Sequence, residues 1–321
     1  MMHIRRAVTL AVVGTALLSA SALAAQQADE QQQQRDTQAL VELVEAVAAG
    51  TEPTPADVSL QWGGNHFMKG ADGATYIPFT LGVDPAQLTG GAALYIRAVN
   101  RDAAPAADPA AAVEYPWDDI NFLDVGQDGT VARAMVLPPG EYEVFVAIKE
   151  QGQAEAGAGL LRRDITVPDF SELSMSTVLI GNIEPLAAPL NADQQKENPY
   201  TFGQMRVTVA AGSKLRKAGE LQMLFWIYGT GQRNNKPDVT IEYSFHRQTA
   251  DGEEYFNKTP PQTLNASTLP PQFNVATDQL PGMLFVPLAS FPVGEYRLEI
   301  KLTDTISGET LTTDANFTVE A

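Results

Sequence analysis

The residue types able to do chemistry are few. The chain holds three histidines, no cysteine, and 39 aspartates and glutamates. Without cysteine there is no disulfide, no thiolate nucleophile, and no Cys-ligated zinc or iron–sulfur cluster. His3 falls in a leader expected to be removed, which leaves His66 and His246. His246 continues the polar alternation Thr240, Glu242, Ser244, so it reads as solvent-facing. His66 sits between Trp62 and Phe67 with apolar neighbours. No His-Glu-x-x-His, Gly-x-Ser-x-Gly or Gly-Lys-Ser/Thr pattern occurs. A histidine-dependent enzyme is therefore not expected, and the catalytic, metal and cofactor assignments from sequence are all "none".

Carboxylates leave more open. A pair at the right separation can hydrolyse a glycosidic bond, but with this many acids some pair always lies close. Asp118, Asp119, Asp124 and Asp128 cluster on hard-oxygen chemistry suited to Ca²⁺, without EF-hand spacing. The favoured reading is a solvated acidic loop ending in an Asp128-Gly129 hairpin turn. Aromatic residues offer contact chemistry. Tyr115-Pro116-Trp117 ends an Ala/Pro/Asp-rich loop and can stack on a sugar or anchor in a protein pocket. Phe145 falls on the nominally wet face of its strand and needs a cover: the chain's own helix, the 101–120 loop, or a partner. Tyr115, Trp117 and Phe145 are the candidate partner or glycan contacts. Lys214, Arg216 and Lys217 form a compact basic cluster, read as a solvated turn.

These residues must be positioned by a chain of 321 residues, 44% hydrophobic and 19% charged, enough for about two domains. The formal charge of −18 argues against nucleic-acid binding. Residues 1–24 read as an export signal: Arg5-Arg6, the apolar run Ala7 to Leu18, then Ala22-Leu23-Ala24. Cleavage after Ala24 removes two positive charges and takes the formal charge to −20. Residues 25–50 combine a Gln-rich stretch, 26–35, expected to be disordered, with a short amphipathic helix at about 37–49. Leu40, Leu43, Val44 and Val47 line one face of that helix, and Asp36 or Thr37 caps it.

From residue 51 the apolar period becomes two. Predicted strands are 75–83, 93–99, 131–137, 141–149 and 160–167, then 205–209, 221–228, 239–245, 284–288, 296–303 and 311–319. The stretch 181–203 reads as irregular. Leu137-Pro138-Pro139-Gly140-Glu141-Tyr142 and Phe291-Pro292-Val293-Gly294-Glu295-Tyr296 each precede three alternating apolar residues and one more strand. Pro and Gly turn the chain between sheets while the Tyr ring enters the core, the tyrosine corner of Greek-key sandwiches. Two such corners predict an all-β chain: two tandem immunoglobulin-like β-sandwich domains, 51–168 and 169–321, after the signal peptide and short helix. Trp226, in a strand apolar on both faces, is expected to be the core tryptophan of the second.

The segments His66-Phe67-Met68 through Tyr76-Ile77-Pro78-Phe79-Thr80, and Phe291 through Asp304, resemble exported bacterial proteins that carry Ig-like regions beside von Willebrand A or GWxTD-type domains. The chain itself has no GWxTD sequence. The resemblance implies an envelope Ig-like module and transfers no site residue. The expected function is non-enzymatic protein–protein contact in the bacterial cell envelope, periplasmic or extracellular, with no membrane span. The alternatives are a carbohydrate-binding module using the exposed aromatics and a carboxylate-based hydrolase.

Overall fold

The computed structural model describes the backbone of residues 9–103, 114–154 and 156–321, and the side chains of the same segments from 26 onward. The expected signal segment therefore lies outside the described side chains. The first sandwich comprises β1 (Leu60–Asn65), β2 (Met68–Lys69), β3 (Thr75–Val83), β4 (Ala92–Asn100), β5 (Trp117–Leu123), β6 (Thr130–Leu137), β7 (Gly140–Glu150) and β8 (Ala158–Val167). One sheet places β3 between β6 and the broken edge β1/β2. The other runs β5-β4-β7-β8. This is the Greek-key order of an immunoglobulin-like sandwich.

The second sandwich repeats it. Its strands are β9 (Ser174–Met175), β10 (Leu179–Pro185), β11 (Thr201–Phe202), β12 (Met205–Val209), β13 (Lys214–Arg216), β14 (Glu220–Tyr228), β15 (Val239–Thr249), β16 (Gly252–Lys258), β17 (Gln262–Leu264), β18 (Leu280–Pro287), β19 (Gly294–Asp304) and β20 (Thr310–Glu320). Here β14 lies between β18 and the broken edge β9/β10, and β15-β19-β20 form the centre of the facing sheet. Of the basic cluster, Lys214 and Arg216 lie on β13, which pairs in parallel with β20, and Lys214 meets Glu320, while Lys217 opens the turn that follows.

Both corners are present. Gly140 and Gly294 take φ of 150° and 149°, a region that glycine enters and side chains avoid. Tyr142 and Tyr296 are both buried. The Tyr296 hydroxyl donates to Pro292 O at 2.7 Å, closing its corner.

The N-terminal helix is longer than its apolar stripe. It spans Thr9–Ala48 as α1, so residues 26–35 are helical rather than disordered. Glutamine is a good helix former. Side-chain bonds one turn apart, Gln26 to Glu30, Gln32 to Asp36 and Gln38 to Glu42, reinforce the run. Leu40, Val44 and Val47 pack on Ala93, Tyr95, Phe145, Ala147 and Leu160, the outer face of β4, β7 and β8. Asp36 is no cap. It is 1% exposed inside the helix, 3.0 Å from the Lys149 ammonium, and it accepts from Gly152 N at 2.8 Å.

The two sandwiches share an apolar layer. β14 alternates: Leu221, Met223, Phe225 and Ile227 enter the second core, while Leu224, Trp226 and Tyr228 face outward. The outward row packs with Met68 and Phe170 and is flanked by Phe67 and Tyr76. Trp226 is thus buried in the layer outside its own core, together with Met68 of the first sandwich and Tyr200 and Val207 of its own domain, and it meets Phe202 edge-on at 4.6 Å. Cross-domain bonds surround this layer. Tyr76 donates to Pro199 O, Lys69 N to the Tyr228 hydroxyl, and Phe67 N to Thr177 Oγ1. His66 Nδ1 lies 3.0 Å from the Tyr200 hydroxyl.

Two outcomes test this packing. Asp36→Ala leaves a buried, unpaired Lys149 and is expected to cost ~3–5 kcal/mol in chemical denaturation, whereas Asp36→Leu with Lys149→Met recovers most of the loss. Burial holds the His66 imidazole down at about 4, against an ordinary 6.5. Between those values the unfolded chain binds a proton that the folded chain refuses. Stability is therefore complete above about pH 6.5 and falls as pH drops toward 4, by ~3 kcal/mol from this group. Denaturation across that window is expected to show the slope, and His66→Phe to remove its share.

Candidate functional site: a groove between the sandwiches

The first sandwich is left open between the edges of its two sheets, at β5 and β6. A short helix of the second domain, α2 (Ala192–Glu197), stands beside this opening. It begins with a capping box: the Asn191 side chain accepts from Gln194 N, and the Gln194 side chain accepts from Asn191 N. β5, β6, α2 and Tyr76 of β3 enclose a groove of about 620 Å³. Trp117, Asp118, Asp119 and Asn121 form one wall, Gln195 and Lys196 the other, and Arg133, Ala134 and Val136 lie between them. A second hollow of about 490 Å³ shares Tyr76 and Val136 and runs on to Met68, Phe202 and Trp226.

The polar groups in the groove are held by neighbours. Arg133 donates to Asn121 Oδ1 at 3.1 Å and to Ala132 O at 2.7 Å. Its burial lowers the pKa of the guanidinium, and the charges of Glu197 and Asp119 oppose that effect. Burial raises the Tyr76 hydroxyl to about 12, so it stays a neutral donor to Pro199. Asp118 and Asp119 are consecutive on a strand, so their side chains leave in opposite directions. Asp118 reaches Arg97 at 3.5 Å and Asp119 accepts from Asn121 at 3.1 Å. The pair does not converge on one point, as a glycosidase pair must.

The three aromatic candidates separate. Trp117 lines the groove. Tyr115 is taken up by its own domain: the buried Arg97 guanidinium lies 3.9 Å from its ring centre. Phe145 is 1% exposed beneath α1 and is not an available contact. Its cover is the chain's own helix, because a strand apolar on both faces must be packed on both. Trp62, which stacks on Phe79 at 4.9 Å, does not join Trp117, and neither do His66 and Phe67. The acidic cluster disperses. Asp118 and Asp119 go to the groove, while Asp128 accepts from Thr130 N in the turn after them. Among the described residues no three acidic or histidine side chains converge as a metal site.

Sequence reasoning missed Tyr76, Arg133, Val136, Gln195 and Lys196. Two signals were available. Tyr76 and Pro78 occupy the outward positions of a strand whose inward row is Thr75, Ile77 and Phe79, which implies a covered outer face. Asn191 with Gln194 has the spacing of a capping box in a stretch otherwise read as irregular.

No helix among the described residues is long and apolar enough to cross a membrane. No protein-family model matches the sequence, and no curated protein matches it. Among solved structures the chain is similar to α2-macroglobulins. The trypsin-activated protein from Escherichia coli is 12% identical with a TM-score of 0.23, over 84% of this chain and 17% of that one. The native E. coli conformation gives 10% and 0.25 over 84% and 16%. A Salmonella mutant gives 13% and 0.23 over 83% and 17%. The chain spans about a sixth of the length of these proteins. The immunoglobulin-like assignment rests on strand order and the paired corners, not on this likeness.

Proposed function

We propose that this chain is an exported, non-enzymatic protein that makes protein–protein contacts in the bacterial cell envelope, with the groove between the sandwiches as its contact surface. The observation that carries this reading is that one groove draws its walls from both domains, which an apolar layer holds together. A surface built this way is pre-formed and loses little freedom on binding. Trp117 and Tyr76 supply the aromatic contact area that such surfaces use as anchors. Export is supported by the three-part N-terminal sequence. The non-enzymatic reading is supported by the divergence of Asp118 and Asp119.

One observation favours the carbohydrate reading in second place. Trp117 and Tyr76 share the groove with amide, carboxylate and guanidinium groups, the mixture that binds hydroxyls. A crosslinked pull-down of the tagged mature protein from its native envelope separates the two. The expected result is one envelope protein near stoichiometry, reduced about tenfold or more by Trp117→Ala. Recovery of no protein, with retardation of the wild type but not Trp117→Ala in gels containing soluble polysaccharide, overturns protein contact in favour of sugar.

A further inference from the structure

The edge of β6 has a defined hydrogen-bonding polarity. In an antiparallel pair, residues opposite each other either exchange both backbone bonds or both turn away. Ala134 lies opposite Pro78 of β3. Pro78 has no N–H, and its carbonyl accepts from His66 N at 2.9 Å, on the side of β3 away from β6. Ala134 must therefore turn its own N–H and C=O away from β3. The alternation carries the same orientation to Ala132 and Val136. A second contact agrees: Ala132 O is reached from the open side by the Arg133 guanidinium at 2.7 Å.

β6 pairs with β3 alone among the described residues. Three N–H groups, on Ala132, Ala134 and Val136, thus point out of the sheet edge. Open space follows that edge. Ala134 and Val136 line the main groove, Val136 also lines the second hollow, and Thr130 and Ala132 line a third of about 370 Å³. Val136 is 38% exposed. Bare edges are normally blunted by charge, and Arg133 is the only such guard on the outward-facing stretch.

We propose that the free edge of β6 is a strand-addition site, which takes an extended segment of a partner protein as the next strand of the β1/β2-β3-β6 sheet. This rests on the protein-contact reading above and specifies how that contact is made. An added strand sends alternate side chains to opposite faces. One row falls beside Tyr76 and Val136, so it is apolar. The other falls toward β5, where Asp119 is exposed while Asp118 turns to Arg97, so it carries Lys or Arg. The acidity of the whole chain favours the same cationic segment. Backbone bonds supply affinity, and the two rows supply selectivity.

The test uses the full mature chain and a displayed library of random peptides as probe. The expected winners alternate apolar and basic residues. Methylating alternate backbone nitrogens of a winner is expected to weaken it about tenfold or more. Ala134→Pro removes one edge N–H without touching the β3 ladder, where proline is tolerated at an edge, and is expected to weaken binding equally. Ala134→Ser, which keeps the N–H, is expected to bind about tenfold more tightly than Ala134→Pro. Melting curves confirm that both variants fold, and the methylated peptides give the same readout on the unmodified protein. Winners that bind Ala134→Pro or lose nothing on methylation overturn strand addition while leaving envelope protein contact standing. An empty selection overturns it too. An empty selection joined to an empty pull-down removes both readings.

Discussion

Apolar side chains on the outside of a sandwich must be covered, and this constraint organises the whole molecule. A two-layer β-domain needs one apolar face per sheet. Here two sheets carry apolar residues on both faces. On β7 the second face contributes Phe145 and Ala147, and on β14 it contributes Leu224, Trp226 and Tyr228. Each surplus face is met by a different device. The first is roofed by α1 and pinned at its end by the buried Asp36–Lys149 pair. The second is closed by the neighbouring sandwich together with Tyr200, Phe202 and Val207 of its own domain. The chain is therefore two Ig-like units, each with one surplus apolar face covered from outside its own two-layer core.

The groove follows from the second cover. To reach the outward face of β14, the first sandwich presents β2 and the outer side of β3. That places β6 and β5 against the segment that carries α2. The aromatic and polar residues meeting there come from four elements, β3, β5, β6 and α2, drawn from both domains. Within the groove Arg133 has two duties: it ties β6 to β5 through Asn121, and it occupies a carbonyl on the sheet edge. A proline in the central strand β3 is also accounted for. The position of Pro78 that lacks a donor falls in the break between β1 and β2, where the His66 amide needs an acceptor.

Much of the fold was legible because period two is a local signal. Strands such as Thr75–Val83 and Met205–Val209 have the predicted bounds, and the two Pro-x-Gly-Glu-Tyr corners located the turn before β7 and before β19. Short edge strands were not legible. β2, β9 and β11 have two residues each and exist only because a neighbour pairs with them. The helix was read too short, since glutamine and aspartate have no apolar period yet hold a helix by side-chain bonds. Trp226 was placed on the wrong face for a related reason. A strand apolar on both sides announces two contacts without saying which lies within its own domain. Of the site, Trp117 was visible as an aromatic residue beside a loop. Its partners were not, because proximity across a domain boundary leaves no trace in local pattern.

The shared layer also imposes an order in time. β1 to β8 emerge before β9 to β20, so the first sandwich can complete its own sheets while the partner of Phe67, Met68 and Tyr76 does not yet exist. During that interval an apolar patch and the bare edge of β6 lie side by side on an otherwise finished domain. The geometry of the interface thus makes the order of synthesis a condition on how the first sandwich must be shielded until the second is complete.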